Sequence, residues 1–278
     1  MANALDGTVL RRLKVAGGLS EGQGKMLRAR LLLRLAPAGR VPDSIAVPAA
    51  AAVELVHAAS LLHDDVIDGG IVRRHAPAFW TQHGIPGAIL LGDLILMKAL
   101  DLAGRTTDDR LVGELVHFAG EMCNAESEQE LLLRGGDADW NQCLDIDRRK
   151  TGALFAFAAG AAGGGDAPLR LALQEAGYGL GTAYQLADDL LDVAGNDRAA
   201  GKTIGRDRAR RKNTAATSFS GDPAELAGQA RDLRARAVEP LRNWPDIRAA
   251  MDEYCVLDFD PAVARLLSDL KPNGPEAT

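Results

Sequence analysis

Two runs of the form DDxxD, Asp64-Asp65-Val66-Ile67-Asp68 and Asp188-Asp189-Leu190-Leu191-Asp192, stand in apolar segments patterned as helices. On a helix, positions i, i+1 and i+4 share a face, so each run presents two or three hard carboxylate oxygens together. The flanks, Ala58-Ala59-Ser60-Leu61-Leu62-His63 and Tyr184-Gln185-Leu186-Ala187, are too apolar for water-facing helices. Carboxylates packed among such residues repel one another and lose hydration, so they need cations. Asp64, Asp65, Asp68, Asp188, Asp189 and Asp192 are therefore candidate metal ligands, and two such helices facing each other would clamp several divalent ions.

Carboxylates alone could hold calcium for structure, whereas a magnesium-bound diphosphate needs cationic groups beside them. Arg73 and Arg74 follow the first run just past Gly69-Gly70, and guanidinium forks match diphosphate oxygens in pairs. Lys150 and Thr151 precede the apolar stretch Gly152 to Gly163, and Lys202 lies in Gly201-Lys202-Thr203-Ile204-Gly205-Arg206-Asp207 after the second run. His57 sits two helical turns before Asp64 on the same face, and Gln185 stands three and four positions before Asp188 and Asp189. Each of these has an ordinary reading alone: paired arginines usually decorate a surface, and a histidine on a helix is usually structural. Their alignment with the two aspartate runs points instead to a phosphate site. Gly24-Lys25-Met26-Leu27-Arg28 adds two cations one helical turn apart, suited to a second diphosphate.

The elements that must hold these residues are helical. Ala/Leu-rich segments with apolar residues at three- and four-residue spacing dominate, aromatic residues make up only 4%, and alternating β-branched runs are few. Helices are expected over about 23–36, 46–68, 84–103, 109–133, 141–163, 168–194, 222–238, 245–254 and 260–270. Gly69-Gly70 and Gly195 should stop the two motif helices, leaving each aspartate run in the last turns, at a cavity mouth. With 278 residues, 47% of them hydrophobic, and no linker or low-complexity tract, residues 1–278 read as a single domain. A formal charge of −6 argues against nucleic acid as a partner. Cys123, Cys143 and Cys255 lack metal spacing and fit reduced thiols in a cytoplasmic protein; no signal core and no transmembrane segment is expected.

With these residues in this order, the chain resembles the trans-isoprenyl diphosphate (polyprenyl) synthases. HAASLLHDDVIDGGIVRR from His57 to Arg74 is similar to the family's first aspartate-rich region and YQLADDLLD to its second. Lys150-Thr151 and GKTIGRD at Lys202 resemble two further signatures, and the similarity runs from about Lys25 to Lys212. The resemblance implies an all-α, isoprenoid-synthase-type helical bundle around a deep central cavity, usually a homodimer. It implies three magnesium ions held by Asp64, Asp68 and Asp188, with Asp65, Asp189 and Asp192 in supporting or water-mediated roles. Arg73, Lys150, Thr151, Gln185 and Lys202 would hold an allylic diphosphate, and Lys25, Arg28, His57 and Arg74 isopentenyl diphosphate. The reaction implied is head-to-tail prenyl transfer. Where the family usually has GGKRxRP, this chain reads Gln23-Gly24-Lys25-Met26-Leu27-Arg28-Ala29, without one arginine and the proline.

In this family the growing chain passes the residues four and five positions before the first aspartate, where bulky aromatics end elongation early. Here they are Ser60 and Ala59, both small, so a product of twenty carbons or more is expected, with Leu96 or Met97 setting a later stop. A farnesyl-length synthase, a terpene cyclase, a head-to-head synthase and a non-catalytic regulatory subunit are the competing readings. A cyclase usually pairs its first cluster with an Asn/Ser/Glu triad rather than DDLLD. The Lys25, Arg28, His57 and Arg74 set argues for isopentenyl diphosphate as co-substrate, and regulatory subunits commonly lose an aspartate run that this chain retains.

Overall fold

The structure, a computed structural model, describes residues 24–74, 76–194 and 213–268. Its helices are α1 (Leu27–Leu35), α2 (Asp43–Ile67), α3 (Phe79–Gly104), α4 (Arg110–Glu128), α5 (Trp140–Asp147), α6 (Ala153–Ala161), α7 (Ala167–Ala194), α8 (Ala215–Ser218), α9 (Pro223–Arg236), α10 (Pro245–Tyr254) and α11 (Asp260–Ser268). Among the described residues the only strands are a two-residue antiparallel pair between α2 and α3, Val72–Arg73 against Ala76–Pro77. The fold is all-α, as the periodicity and composition led one to expect.

Every residue of α6 is buried, which fits a sequence of Ala, Leu, Phe and Gly alone: a helix with no polar face belongs at the centre. α7 packs on it backbone to backbone. A Cβ added at Gly177 would lie 2.5 Å from the Phe155 carbonyl oxygen, and one at Gly181 would lie 2.5 Å from the Gly152 Cα, so only glycine permits this approach. That docking fixes the height of α7, and Gln185, one turn beyond Gly181, reaches Thr151. The main apolar core takes members from Leu27 in α1 to Ala262 in α11. α2 is the one helix among the described residues long and apolar enough to cross a membrane, and its Ala49, Ala52, Val53, Leu55 and Val56 are buried in this core.

Several expected boundaries need correction. α4, α5 and α10 run on into π-helical turns at Gln129–Leu133, Arg148–Gly152 and Cys255–Phe259, so residues 109–133 and 141–163 are not unbroken α-helices. A π turn inserts one residue into the helical repeat, which apolar spacing alone does not reveal, and such turns gather at functional sites. α3 begins at Phe79 rather than 84, and Gly84 (φ 74°) breaks it early. α1 begins at Leu27 because Met26 is left-handed (φ 48°). Lys25 therefore precedes the helix instead of standing one turn below Arg28. Gly195, expected to stop α7, lies outside the described residues.

Candidate active site

α2 ends in a Schellman motif. Gly69 is left-handed (φ 62°), its N–H donates to Val66 O at 3.2 Å, and the Gly70 N–H donates to Asp65 O at 2.8 Å. The chain then reverses into the short hairpin that carries Arg73 and Arg74, and Trp80 Nε1 anchors it by donating to Gly70 O at 2.6 Å. Arg73 Nε donates to Asp65 Oδ1 at 2.6 Å, and Asp65 is only 4% exposed. Asp64 and Asp68, half-buried, line the cavity beside it.

The last turns of α7 repeat this division of labour with other partners. Asp189 is also 4% exposed, and its Oδ1 accepts from Gln185 Nε2 at 2.6 Å. Gln185 Oε1 in turn accepts from the Thr151 hydroxyl at 2.6 Å, out of the π-helical turn at Arg148–Gly152. Asp188 and Asp192 are half-buried at the same cavity.

That cavity, about 1660 Å³, is lined by all six aspartates and by Lys25, Arg28, His57, Arg73, Arg74, Lys150, Thr151 and Gln185. Lys202 and its loop lie outside the described residues. The cations fall into two groups. Lys150 meets Glu126 of α4 in an ion pair and donates to Gln129 Oε1 at 3.3 Å, so the two π-helical turns touch at the site. Burial works against the charge on Lys150, but Glu126, Asp64 and Asp68 outweigh it and push the ammonium well above its ordinary range. The second group gathers near the start of α1. Lys25 Nζ lies 5.4 Å from the Tyr184 ring centroid and donates to Tyr184 Oη at 3.3 Å and Ala262 O at 3.2 Å. The Arg28 guanidinium stacks 4.9 Å from the Phe155 ring centroid. Arg74, itself left-handed (φ 51°), lies against Gly24, where an added Cβ would meet its guanidinium and oblige it to move. Burial, and then the fields of Arg28, Arg74 and Arg73, hold the His57 imidazole well below its usual range, so it is neutral at pH 7.

Below the aspartates, Ala59 and Ser60 line the cavity, the Ser60 hydroxyl turned back to donate to His57 O at 2.9 Å. Leu96 lines it as well. Met97 does not: it is 55% exposed on the outer face of α3 and cannot set a stop for a chain inside. Gly120 of α4 faces the cavity, and a Cβ there would meet nothing within 4 Å.

Sequence reasoning missed Glu54, Glu126, Gln129 and Tyr184, all of which line the cavity. Glu54 carried a signal, one turn before His57 on the same face; Glu126 and Gln129 did not, because their approach to Lys150 depends on the π-helical turns. Among the described residues, no three His, Cys, Asp or Glu side chains stand together as a ready cation site. Half-buried carboxylates on two helices across a cavity do not make an all-protein calcium cage. They do fit magnesium, which takes one or two carboxylates and completes its shell with water and phosphate oxygens.

A profile of the polyprenyl synthetase family matches residues 13–233. The geranylgeranyl diphosphate synthase of Mycobacterium tuberculosis is 38% identical over 239 residues, covering 82% of this chain and 65% of that protein, so the chain spans just under two thirds of its length. The farnesyl diphosphate synthase of Geobacillus stearothermophilus is 33% identical over 269 residues, covering 91% and 89%. Among solved structures, a polyprenyl synthase from Caulobacter crescentus complexed with calcium and isoprenyl diphosphate is similar with a TM-score of 0.73 at 28% identity, covering 98% of this chain and 87% of that one.

Proposed function

The chain belongs to the polyprenyl synthetase family, and from that premise we propose that it is a magnesium-dependent prenyltransferase joining an allylic diphosphate head-to-tail to isopentenyl diphosphate. One observation carries the reading: carboxylates from α2 and α7 line a single cavity together with two groups of cations. A single diphosphate would need one such group. Two groups fit a donor and an acceptor.

In this reading Asp64, Asp68 and Asp188 would hold three magnesium ions, with Asp65, Asp189 and Asp192 behind them. When bound, the metal supplies charge neutralisation and Lewis acidity toward the diphosphate oxygens. Arg73, Lys150, Thr151, Gln185 and Lys202 hold the allylic diphosphate and stabilise the charge that develops as its carbon–oxygen bond ionises. Lys25, Arg28, His57 and Arg74 hold isopentenyl diphosphate so that its double bond attacks the allylic cation. Among the described residues none is assigned the final proton, and the released diphosphate would accept it. Leu96, Leu100 and Ala119 line the cavity and keep water from the cation. Ala59 and Ser60 leave room for a product of twenty carbons or more.

The proposal reads residues 1–278 as one catalytic unit, supported by a core that takes members from α1 to α11. It places two copies together over the exposed Ile85, Ile89, Leu90 and Met97 of α3, an apolar face of the kind that pairs. Three free thiols support a reducing, cytoplasmic setting. The test is incubation with magnesium, isopentenyl diphosphate and dimethylallyl, geranyl or farnesyl diphosphate, followed by product chromatography. Elongated prenyl diphosphates are expected. Cyclised hydrocarbon, or no consumption of isopentenyl diphosphate, would overturn the reading.

A further inference from the structure

We infer that Glu54 is a positioning residue for the acceptor diphosphate: it caps α1 and holds Arg28 in the orientation in which that guanidinium meets isopentenyl diphosphate. The inference rests on the functional reading above and concerns a residue to which that reading gives no part.

Glu54 lies on α2 one turn before His57, is 6% exposed, and still reaches the cavity lining. α1 lacks a cap of its own, since Met26 is left-handed there and its side chain accepts no hydrogen bond from the first turn. The missing acceptor comes from α2: Ala29 N–H donates to Glu54 Oε1 at 3.1 Å. A carboxylate at a helix N-terminus satisfies an orphan donor and opposes the positive end of the helix dipole. Arg28 is the neighbour of Ala29, so the cap and the guanidinium belong to one turn. Burial depresses Arg28 below the usual arginine range, and the Glu54 charge is the largest influence acting the other way. Arg28 Nε is buried without a hydrogen-bond partner, while the guanidinium lies over Phe155. The group is therefore braced by charge, ring and helix while Arg28 still lines the cavity.

The sign of the effect separates positioning from simple electrostatics. A fixed carboxylate beside an anion site repels the incoming diphosphate, so neutralising it should tighten binding if charge were all that mattered. Positioning predicts the opposite. E54Q keeps the length and the acceptor oxygen of the cap but removes the charge that opposes the burial of Arg28, so it tests the hold on the guanidinium itself. Isopentenyl diphosphate alone does not react, so its affinity is read directly by calorimetry beside steady-state kinetics. For E54Q the dissociation constant and KM for isopentenyl diphosphate should rise about tenfold, with the allylic KM and kcat within about twofold. E54D, which restores the charge, should return to within about threefold of the original protein. Unchanged or tighter isopentenyl diphosphate binding in E54Q, equal weakening of both substrates, or an E54Q protein that fails to fold would overturn the inference. Failure of the unsubstituted protein to consume isopentenyl diphosphate would instead overturn the functional reading itself.

Discussion

The two aspartate-rich helix ends share a five-residue pattern but are built from different reaches of chain. At the end of α2 the supporting parts lie between Asp64 and Trp80: the Schellman turn, the hairpin, the Arg73–Asp65 ion pair at 2.6 Å and the Trp80 anchor at 2.6 Å. At the end of α7 the support among the described residues is remote. Asp189 is held by Gln185, Gln185 by Thr151, and neighbouring Lys150 by Glu126 and Gln129 of α4 and the turn beyond it. Gln129 Nε2 then donates to Asn213 O at 2.7 Å, and Asn213 Nδ2 to Leu133 O at 2.7 Å. Among the described residues, the supports of Asp65 are local and those of Asp189 come through the tertiary fold, so Asp189 should be the more easily disturbed from a distance.

The largest expected effect treats the two halves alike. Asp64→Ala and Asp188→Ala should each lose at least about a hundredfold in kcat/KM, more than about 2.7 kcal/mol of transition-state stabilisation. A near-normal rate in one variant alone would show that the two ends do not act as a single clamp.

Next in size come the supports. Thr151→Val and Gln185→Leu each break the same remote chain, so each should lower kcat/KM about tenfold, and the double variant should be little worse than either single one. Arg73→Ala should act independently of Thr151→Val, and its penalty should add to the other. Full additivity of Thr151→Val with Gln185→Leu in steady-state kinetics would break the proposed chain.

The cavity below the clamp gives a qualitative readout. Ala59→Phe and Ser60→Phe should shorten the product, because both positions line the cavity on α2. Gly120→Phe, filling open space on α4, should shorten it less. Product chromatography showing fifteen carbons in the unsubstituted protein, unchanged by any of the three, would place the floor elsewhere.

The smallest effect is a proton. His57 is depressed by burial and by Arg28, Arg74 and Arg73, so its contribution to stability is present above the unfolded value of about 6.5 and is lost as pH falls from there toward the folded value. A diphosphate arriving among those arginines offsets their field and raises the imidazole, so binding below about pH 6.5 should take up a proton. Calorimetry in buffers of different ionisation enthalpy should show that uptake, and His57→Asn should lose it. Equal uptake in both proteins would remove His57 from the acceptor subsite.

The same local-versus-remote contrast explains what the sequence made legible. Each DDxxD run is local, and the first is followed directly by Gly69-Gly70 and Arg73-Arg74, so helical geometry with one glycine turn was enough to bring that half together. Glu126, Gln129 and Lys150 were harder. Their meeting depends on two π-helical turns, which leave no mark in an apolar repeat. Lys25 was set on the wrong footing because nothing in its sequence announces the left-handed backbone at Met26. Met97 was given an inward face because α3 is apolar nearly all round, so periodicity does not separate the face toward the cavity from the face that carries Ile89 and Leu90.

The claim at the centre is that α2 and α7 grip one diphosphate between them through divalent ions. Anomalous scattering from crystals grown with manganese and a non-hydrolysable allylic thiodiphosphate tests it directly. Manganese is expected beside both Asp64/Asp68 and Asp188, with the diphosphate between the two helix ends. Manganese confined to one helix end, with the diphosphate held by arginine and lysine alone, would contradict it.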